Sequence, residues 1–401
     1  RPVKRKDRHD NFDSFLMQEA VKEGAELITG EVYELSYSQA GKPLVSWRTS
    51  GNGAETQEAD FVVYAGGVNQ IPGMNPEDSK LVQSLQRLIP GFIPPKLRRA
   101  LIFELDMGSK HAGSMDGEIY FIEYGSRKLK LEMCALMPKG RFVTVVLIGK
   151  SIDQAQKFEH QQIITAFLEL PHIKKLLPPK VRLTNVCICN PNMAIGVARN
   201  PFGNRVAVIG DMVTSRLYKD GIFSAHQTSL ALVNAILDVG VDRESLSRGY
   251  WPVIQGFKRD NQFGRLVFMF HRIIFSLPVL SRILYQAVIT ERKTKSKDKR
   301  RLENILWKAA SGDGLYKDIF VSMVHPATIW LILTGGLLIT LRNYLTELVF
   351  ALRWHSFGRY TTGVYKEELE ARRQEFMRII AGLGISLPRN LDLERMYSIK
   401  I

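Results

Sequence analysis

An α+β fold is what this sequence predicts, on three observations. A short apolar strand ends in Gly-Asp and leads through a glycine loop into a small-residue helix, between Arg205 and Leu237. Four strand-length apolar runs crowd between Ala100 and Ile148. After Gly240 the pattern turns helical almost to the end, and basic.

Near the start of the chain, Phe12, Leu16 and Ala20 recur at four-residue spacing beside Phe15. They predict an amphipathic helix from Asn11, an N-cap residue, to Glu23, closed by Gly24. Leu27–Ser36 and Leu44–Arg48 read as strands about a Gly41-Lys42-Pro43 turn, and Gly51-Asn52-Gly53 makes a second turn. Phe61–Ala65 is an apolar strand of the kind buried on both faces, ending in Gly66-Gly67. Helix, hairpin and buried strand in that order describe the closing half of a nucleotide-binding α/β region, residues 1–97.

Ala100–Asp106, Gly117–Tyr124, Lys130–Met137 and Arg141–Ile148 predict an antiparallel sheet able to wall a substrate cavity. A helix from Asp153 to Leu170 and a strand from Val181 to Cys189 complete a second region, 98–190. The third, 191–240, holds the strand Arg205–Ile209, then Gly210-Asp211, the loop Lys219-Asp220-Gly221-Ile222, and a helix Ser224–Leu237 with Ala225, Leu232, Val233 and Ile236 inward.

The last region, 241–401, carries most of the charge imbalance. The chain has 55 Lys+Arg against 40 Asp+Glu, a net +15. Between Asp242 and Arg301 stand fourteen Lys/Arg and five Asp/Glu, interleaved with aliphatic bulk. Basic plus apolar suits an anionic membrane surface better than nucleic acid. Phe263–Ile289, Ala327–Leu341 and Tyr344–Trp354 are lipophilic, but none gives about 20 uninterrupted apolar residues. They are expected to be interfacial or monotopic helices that seat the protein on anionic headgroups at the cytoplasmic face, with a true span as the alternative. The run Arg292–Arg301 directly follows the first of them and is read the same way. The three cysteines read as small structural residues in a reducing compartment. The histidines have no metal spacing, so no metal is expected, although His226 lies in the first turn after the glycine loop.

A strand delivering Gly210-Asp211, a glycine loop and a helix has a direct chemical use. Asp211 can accept hydrogen bonds from the ribitol hydroxyls of a flavin. Gly221 lets backbone approach a planar ring without a Cβ clash. The helix start aims N–H groups and its positive dipole end at the ring's carbonyl edge, favouring the anionic reduced form. The plainer reading is an ordinary strand–loop–helix unit.

On these residues the chain resembles FAD-dependent oxidoreductases of the para-hydroxybenzoate hydroxylase fold, in particular their geranylgeranyl reductase branch. Val206–Asp211 looks like that family's second FAD motif, and Lys219–Ala225 like the loop and helix start that embrace the isoalloxazine. Arg216 and Lys219 stand where the family has Pro and an earlier Gly. Arg8 with Phe12-Asp13, Leu16, Ala20 and Gly24-Ala25 is similar to its R-x-x-F-D-x-x-L-x-x-x-A-x-x-x-G-A segment, and Asp60–Gly67 to its strand ending in Ala-Asp-Gly. Leu136-Met137-Pro138 resembles the reductases' Y-x-W-x-F-P segment beside the substrate. It lacks the tryptophan, which speaks against a halogenase.

The resemblance implies FAD held by Gly210, Asp211, Lys219, Asp220, Gly221, Ile222 and Arg8, with Met137 and Pro138 at the substrate. It implies hydride transfer through the flavin to a hydrophobic substrate, an isoprenoid lipid being one candidate, with NAD(P)H or another donor. No catalytic side chain is singled out. A flavin monooxygenase and a non-catalytic membrane-associated fragment are the rivals. No G-x-G-x-x-G follows a strand here, so the expectation is a full protein with that segment and poor or no FAD retention by this chain alone.

Overall fold

A computed structural model describes residues 12–49, 51–108, 120–122, 129–155, 159–178, 181–218, 221–312, 314–350, 355–357 and 360–363. The chain divides into two compact units, Arg1–Asn261 and Gln262–Ile401.

Unit one opens with helix α1, Phe12–Lys22. It ends where Ala25 N–H reaches back to Ala20 O at 3.0 Å over Gly24, whose φ of +100° suits glycine. Of the predicted stripe, Leu16 and Ala20 are exposed, as is Phe15 beside it, so they do not enter the core. Strands β1 (Glu31–Tyr37), β2 (Pro43–Thr49) and β3 (Asn52–Glu58) form an antiparallel meander. The third strand escapes a hydrophobic-pattern reading because its side chains are polar and exposed.

Strand β4, Val62–Tyr64, follows, and then helix α2, Lys80–Leu88. Ser79 caps α2 by accepting Val82 N–H at 3.3 Å, and Val82, Leu85 and Leu88 enter the core.

The second layer is a six-stranded sheet. Strands β5 (Leu97–Asp106), β6 (Tyr120–Ile122), β7 (Met133–Lys139) and β8 (Phe142–Ile148) run in the order β5-β8-β7-β6. The expected single helix from Asp153 to Leu170 is instead three: α3 (Lys150–Asp153), α4 (His160–Leu168) and α5 (Pro171–Leu176). Strands β9 (Arg182–Cys189) and β10 (Asn192–Ala194) pair with the other edge of β5. Leu101, Phe103, Leu105, Val143, Val145 and Leu147 pack against Ile163, Ile164, Phe167 and Ile173 of the helices in one core. Strand alternation therefore sends Ile102, Glu104, Thr144, Val146 and Met137 to the other face.

The chain then returns to β4. Strands β11 (Phe202–Gly203) and β12 (Val206–Val208) make a sheet in the order β11-β12-β4, with β12 parallel to β4 and wholly buried. Helix α6, Gly221–Asp238, starts three residues earlier than expected. Its buried positions are Ser224, Thr228, Leu232 and Ala235, whereas Val233 is exposed, contrary to the apolar stripe. The hydroxyls win the inward positions because each serves a backbone group. Helices α7 (Arg243–Gly249) and α8 (Trp251–Ser276) follow, the latter containing the unit boundary.

Unit two is helical: α9 (Pro278–Thr294), α10 (Arg301–Ser311), α11 (Tyr316–Val324), α12 (Pro326–Leu331), a π-helical turn Ile332–Leu338, and α13 (Ile339–Phe350). A small hairpin, His355–Phe357 with Tyr360–Gly363, departs from the all-helical expectation.

Candidate functional site

The two parallel strands β4 and β12 end side by side, and the loops leaving their carboxyl ends form the site. At this end of a parallel sheet the backbone is free of ladder hydrogen bonds and can turn toward a ligand. After β4 the chain runs through Gly66 and Gly67, the latter at φ +71°. Gly67 is held so close that a Cβ there would sit 3.1 Å from Asp211 Oδ1. After β12, Gly210 also takes φ +71°, which turns Asp211 toward the β4 loop. Val68 N–H donates to Asp211 Oδ1 at 3.1 Å.

Asp211 is half-buried, and burial pushes its carboxyl above the ordinary aspartate range, opposed by backbone N–H donors including that of Val68. Beside it lies Tyr64, the last residue of β4. Its phenol is pushed up to about 12, first by burial and then by the charge of Asp211. The Tyr64 hydroxyl is buried without a hydrogen-bond partner among the described residues. Sequence reasoning does not find Tyr64; the one signal is a polar ring closing an otherwise apolar strand.

Helix α6 closes the site. Thr228 Oγ1 accepts Gly210 N–H at 2.9 Å, and a Cβ on Gly210 would come within 3.9 Å of Ala225. The first turns of α6 are thereby pinned to the Gly210-Asp211 turn. At the helix start Gly221 is exposed, with no atom within 4 Å of where a Cβ would stand, and Ile222 is 69% exposed. The loop before it is anchored rather than open. Arg216 is buried beside Asp260 (3.9 Å), and its N–H donates to Ser224 Oγ at 3.2 Å. Asn261 accepts Leu217 N–H at 2.9 Å and donates to Ser215 O at 2.8 Å.

Of the sequence-predicted residues, Gly210 and Asp211 share a turn against α6, and Gly221 and Ile222 form the start of that helix. Arg8, Lys219 and Asp220 lie outside the described residues. Met137 and Pro138 sit at the far end of β7, opposite Thr144 and Val143 of β8. On the sheet face that Met137 shares, Glu104 is 2% exposed and lies opposite Thr144, a polar pair within an apolar wall. A cavity of about 320 Å³ opens elsewhere, on the meander, lined by Ile28, Val32, Val45, Trp47 and neighbours. None of the predicted residues lines it. Among the described residues no cluster of His, Cys, Asp or Glu could hold a metal.

No protein-family profile and no curated protein matches the sequence. Solved structures do match in shape. A flavoprotein/dehydrogenase from Cytophaga hutchinsonii superposes with a TM-score of 0.51 at 13% identity, over 84% of this chain and 74% of its own. CmlS, a flavin-dependent halogenase, gives 0.49 at 14% identity over 92% of this chain, which spans 59% of the length of CmlS. A variant of halogenase PltM in complex with FAD gives 0.46 at 11% identity, over 84% of this chain and 68% of its own. At such identities the likeness is one of fold. The chain has an α+β fold, shared with the flavoprotein/dehydrogenase from Cytophaga hutchinsonii.

Proposed function

We propose that this chain is the greater part of a flavin-dependent oxidoreductase acting on a hydrophobic small molecule. One observation carries the reading: a half-buried carboxylate, Asp211, at the carboxyl end of a parallel strand, fixed beside the opening turn of helix α6. The residues present suit the ribityl and ring end of FAD. Asp211 accepts Val68 N–H on Oδ1, with the backbone N–H groups of Met212 and of Asp211 itself also donating to the carboxylate, and its remaining lone pairs can accept a polyol hydroxyl. The unpartnered Tyr64 hydroxyl beside it is a second polar group in want of a ligand. Gly221 leaves the helix start bare, so backbone N–H groups can face a ring edge. No glycine-rich turn for a pyrophosphate follows any strand of this sequence.

A bound flavin supplies the hydride chemistry, with NAD(P)H or another donor reloading it. The chain's own part is placement and electrostatics. Asp211 orients; the α6 dipole raises the local positive potential; the apolar wall of Ile102, Met137 and Val146 excludes water. Glu104, buried in that wall opposite Thr144, is the polar group a substrate lying on this face of the sheet would meet. The substrate class we favour is an isoprenoid lipid, because wall and chain are both rich in aliphatic surface.

Titration of the chain with riboflavin and with FAD, followed by flavin fluorescence, tests the cofactor. The expected result is binding of both with similar affinity, weakened about tenfold in Asp211→Ala by loss of one charged hydrogen bond. Binding of neither would overturn the proposal. Anaerobic double-bond reduction by the reduced flavoprotein, against oxygen uptake with substrate, separates a reductase from a monooxygenase. Glu104→Gln is expected to slow turnover without changing flavin affinity.

A further inference from the structure

The helix Pro326–Leu345 is built inside out. Its outward stripe is Trp330, Leu333, Leu337, Leu341 and Leu345, each 41–67% exposed. Its inward face carries Leu331 together with Thr328, Gly335, Gly336, Thr340 and Asn343, all buried, so that five of these six are small or polar. Water selects the opposite arrangement, with apolar residues inward. Hydrocarbon selects this one, because outside a bilayer helix only apolar side chains are cheap, and small or polar residues serve the helix–helix contact. The 20 residues are long and apolar enough to cross a membrane, with only 33% of that window buried inside the protein. At 1.5 Å per residue they reach about 30 Å, the thickness of a hydrocarbon core.

The inward face meets α9. Thr290 Oγ1 donates to Gly335 O at 2.9 Å, and the Arg282 guanidinium lies 4.3 Å over the Tyr344 ring. Residues 335 and 344 thus face 290 and 282, so the two helices are antiparallel. The carboxyl end of α9 consequently lies at the Pro326 end, and from it the basic run Lys293–Arg301 continues, exposed through Lys299. Cations concentrated at one end of an apolar hairpin match an anionic leaflet.

We propose that α9 and Pro326–Leu345 form a hairpin seated in the hydrocarbon of a bilayer, its outward stripe on acyl chains and the Lys293–Arg301 run at anionic headgroups. The test is flotation of the full chain with vesicles of phosphatidylcholine, alone or mixed with phosphatidylserine. The expected result is flotation with both, stronger with the anionic lipid, and resistance to molar salt and to alkaline carbonate. Brominated acyl chains should quench fluorescence that is missing in Trp330→Phe, a variant that leaves packing untouched. Leu333→Glu with Leu337→Glu, both on the exposed face and so tolerated by the fold, should lower the vesicle-bound fraction roughly tenfold or more. Release by salt alone would reduce the contact to surface charge and overturn the proposal. So would flotation with neither vesicle, or a soluble dimer dissolved by the Leu333→Glu and Leu337→Glu changes, which would make a second copy the occupant.

Discussion

Arg98 Nη1 donates to the Tyr218 hydroxyl at 3.1 Å, joining the first strand of the six-stranded sheet to the loop that enters helix α6. The same guanidinium holds Glu132 Oε2 and Asp153 Oδ2, each at 2.7 Å. Tyr218 sits at φ +65°, a conformation that costs a bulky residue energy unless its surroundings impose it. Arg98 is therefore the clamp between the six-stranded sheet and the loop that enters helix α6. Arg98→Ala should lower unfolding free energy by roughly 2–3 kcal/mol in urea titrations, below the value for a fully buried pair because Glu132 and Asp153 keep part of their hydration. Tyr218→Phe should cost about 1 kcal/mol or less yet weaken riboflavin binding. Equal flavin affinity in wild type and Tyr218→Phe would remove the clamp's functional role.

Asp211 gives stability and binding opposite signs. Its folded carboxyl titrates above the ordinary aspartate value because burial disfavours the charge. The folded state therefore binds the proton more tightly than the unfolded chain, and stability declines as pH rises from the unfolded value through the raised folded one. Above that window the cost is constant. Asp211→Asn keeps an acceptor for Val68 N–H and removes the charge. Its melting temperature at neutral pH should match or exceed that of the wild type, and the gain should vanish in acid. Flavin binding should fall about tenfold in the same variant. A lower neutral melting temperature would show that the carboxylate is held for structure instead.

Tyr64→Phe is expected to stabilise the flavin-free chain by about 1 kcal/mol, since it deletes a buried hydroxyl that has no partner among the described residues. Adding riboflavin should narrow the gap, because only the wild type can donate to the ligand. Paired thermal melts with and without riboflavin check this; an unchanged gap would leave the hydroxyl without a ligand role.

Much of this architecture is legible in the sequence because the chemistry is local. Val206–Asp211 shows a buried strand and a turn in six residues, and Gly221 and Ile222 mark the helix start that the structure pins to it. The antiparallel runs between Ala100 and Ile148 are recognisable because all four alternate or stay apolar. The features that escape depend on tertiary contact. Strand β3 is polar on both sides and pairs through its backbone. The phase of α6 is set by Ser224 and Thr228, whose hydroxyls bond Arg216 N–H and Gly210 N–H, a demand no hydropathy pattern records. Tyr64 and Val68 become site residues only when β4 and β12 lie parallel. Glu104 is one acid in a strand until its neighbours show which face it occupies.

The hairpin of unit two turns on a single missing side chain. A Cβ placed on Gly336 would lie 2.5 Å from Ile283 O, and 3.0 Å from Ile283 Cγ2. The carbonyl belongs to the ladder of α9 and cannot swing aside, so the helices must separate. At Gly335 the corresponding contacts are longer, 3.3 Å to Thr290 Cβ and Cγ2, and a give of a few tenths of an ångström relieves them. Gly336→Ala should therefore destabilise unit two by about 2 kcal/mol, the usual cost of overpacking, and Gly335→Ala by less. Urea unfolding of the full chain, followed by the fluorescence lost in Trp330→Phe, reads the two variants separately from unit one. If Gly336→Ala unfolds at the wild-type midpoint, the helices are not in the close contact that an inside-out hairpin requires, and the apolar stripe must be covered some other way.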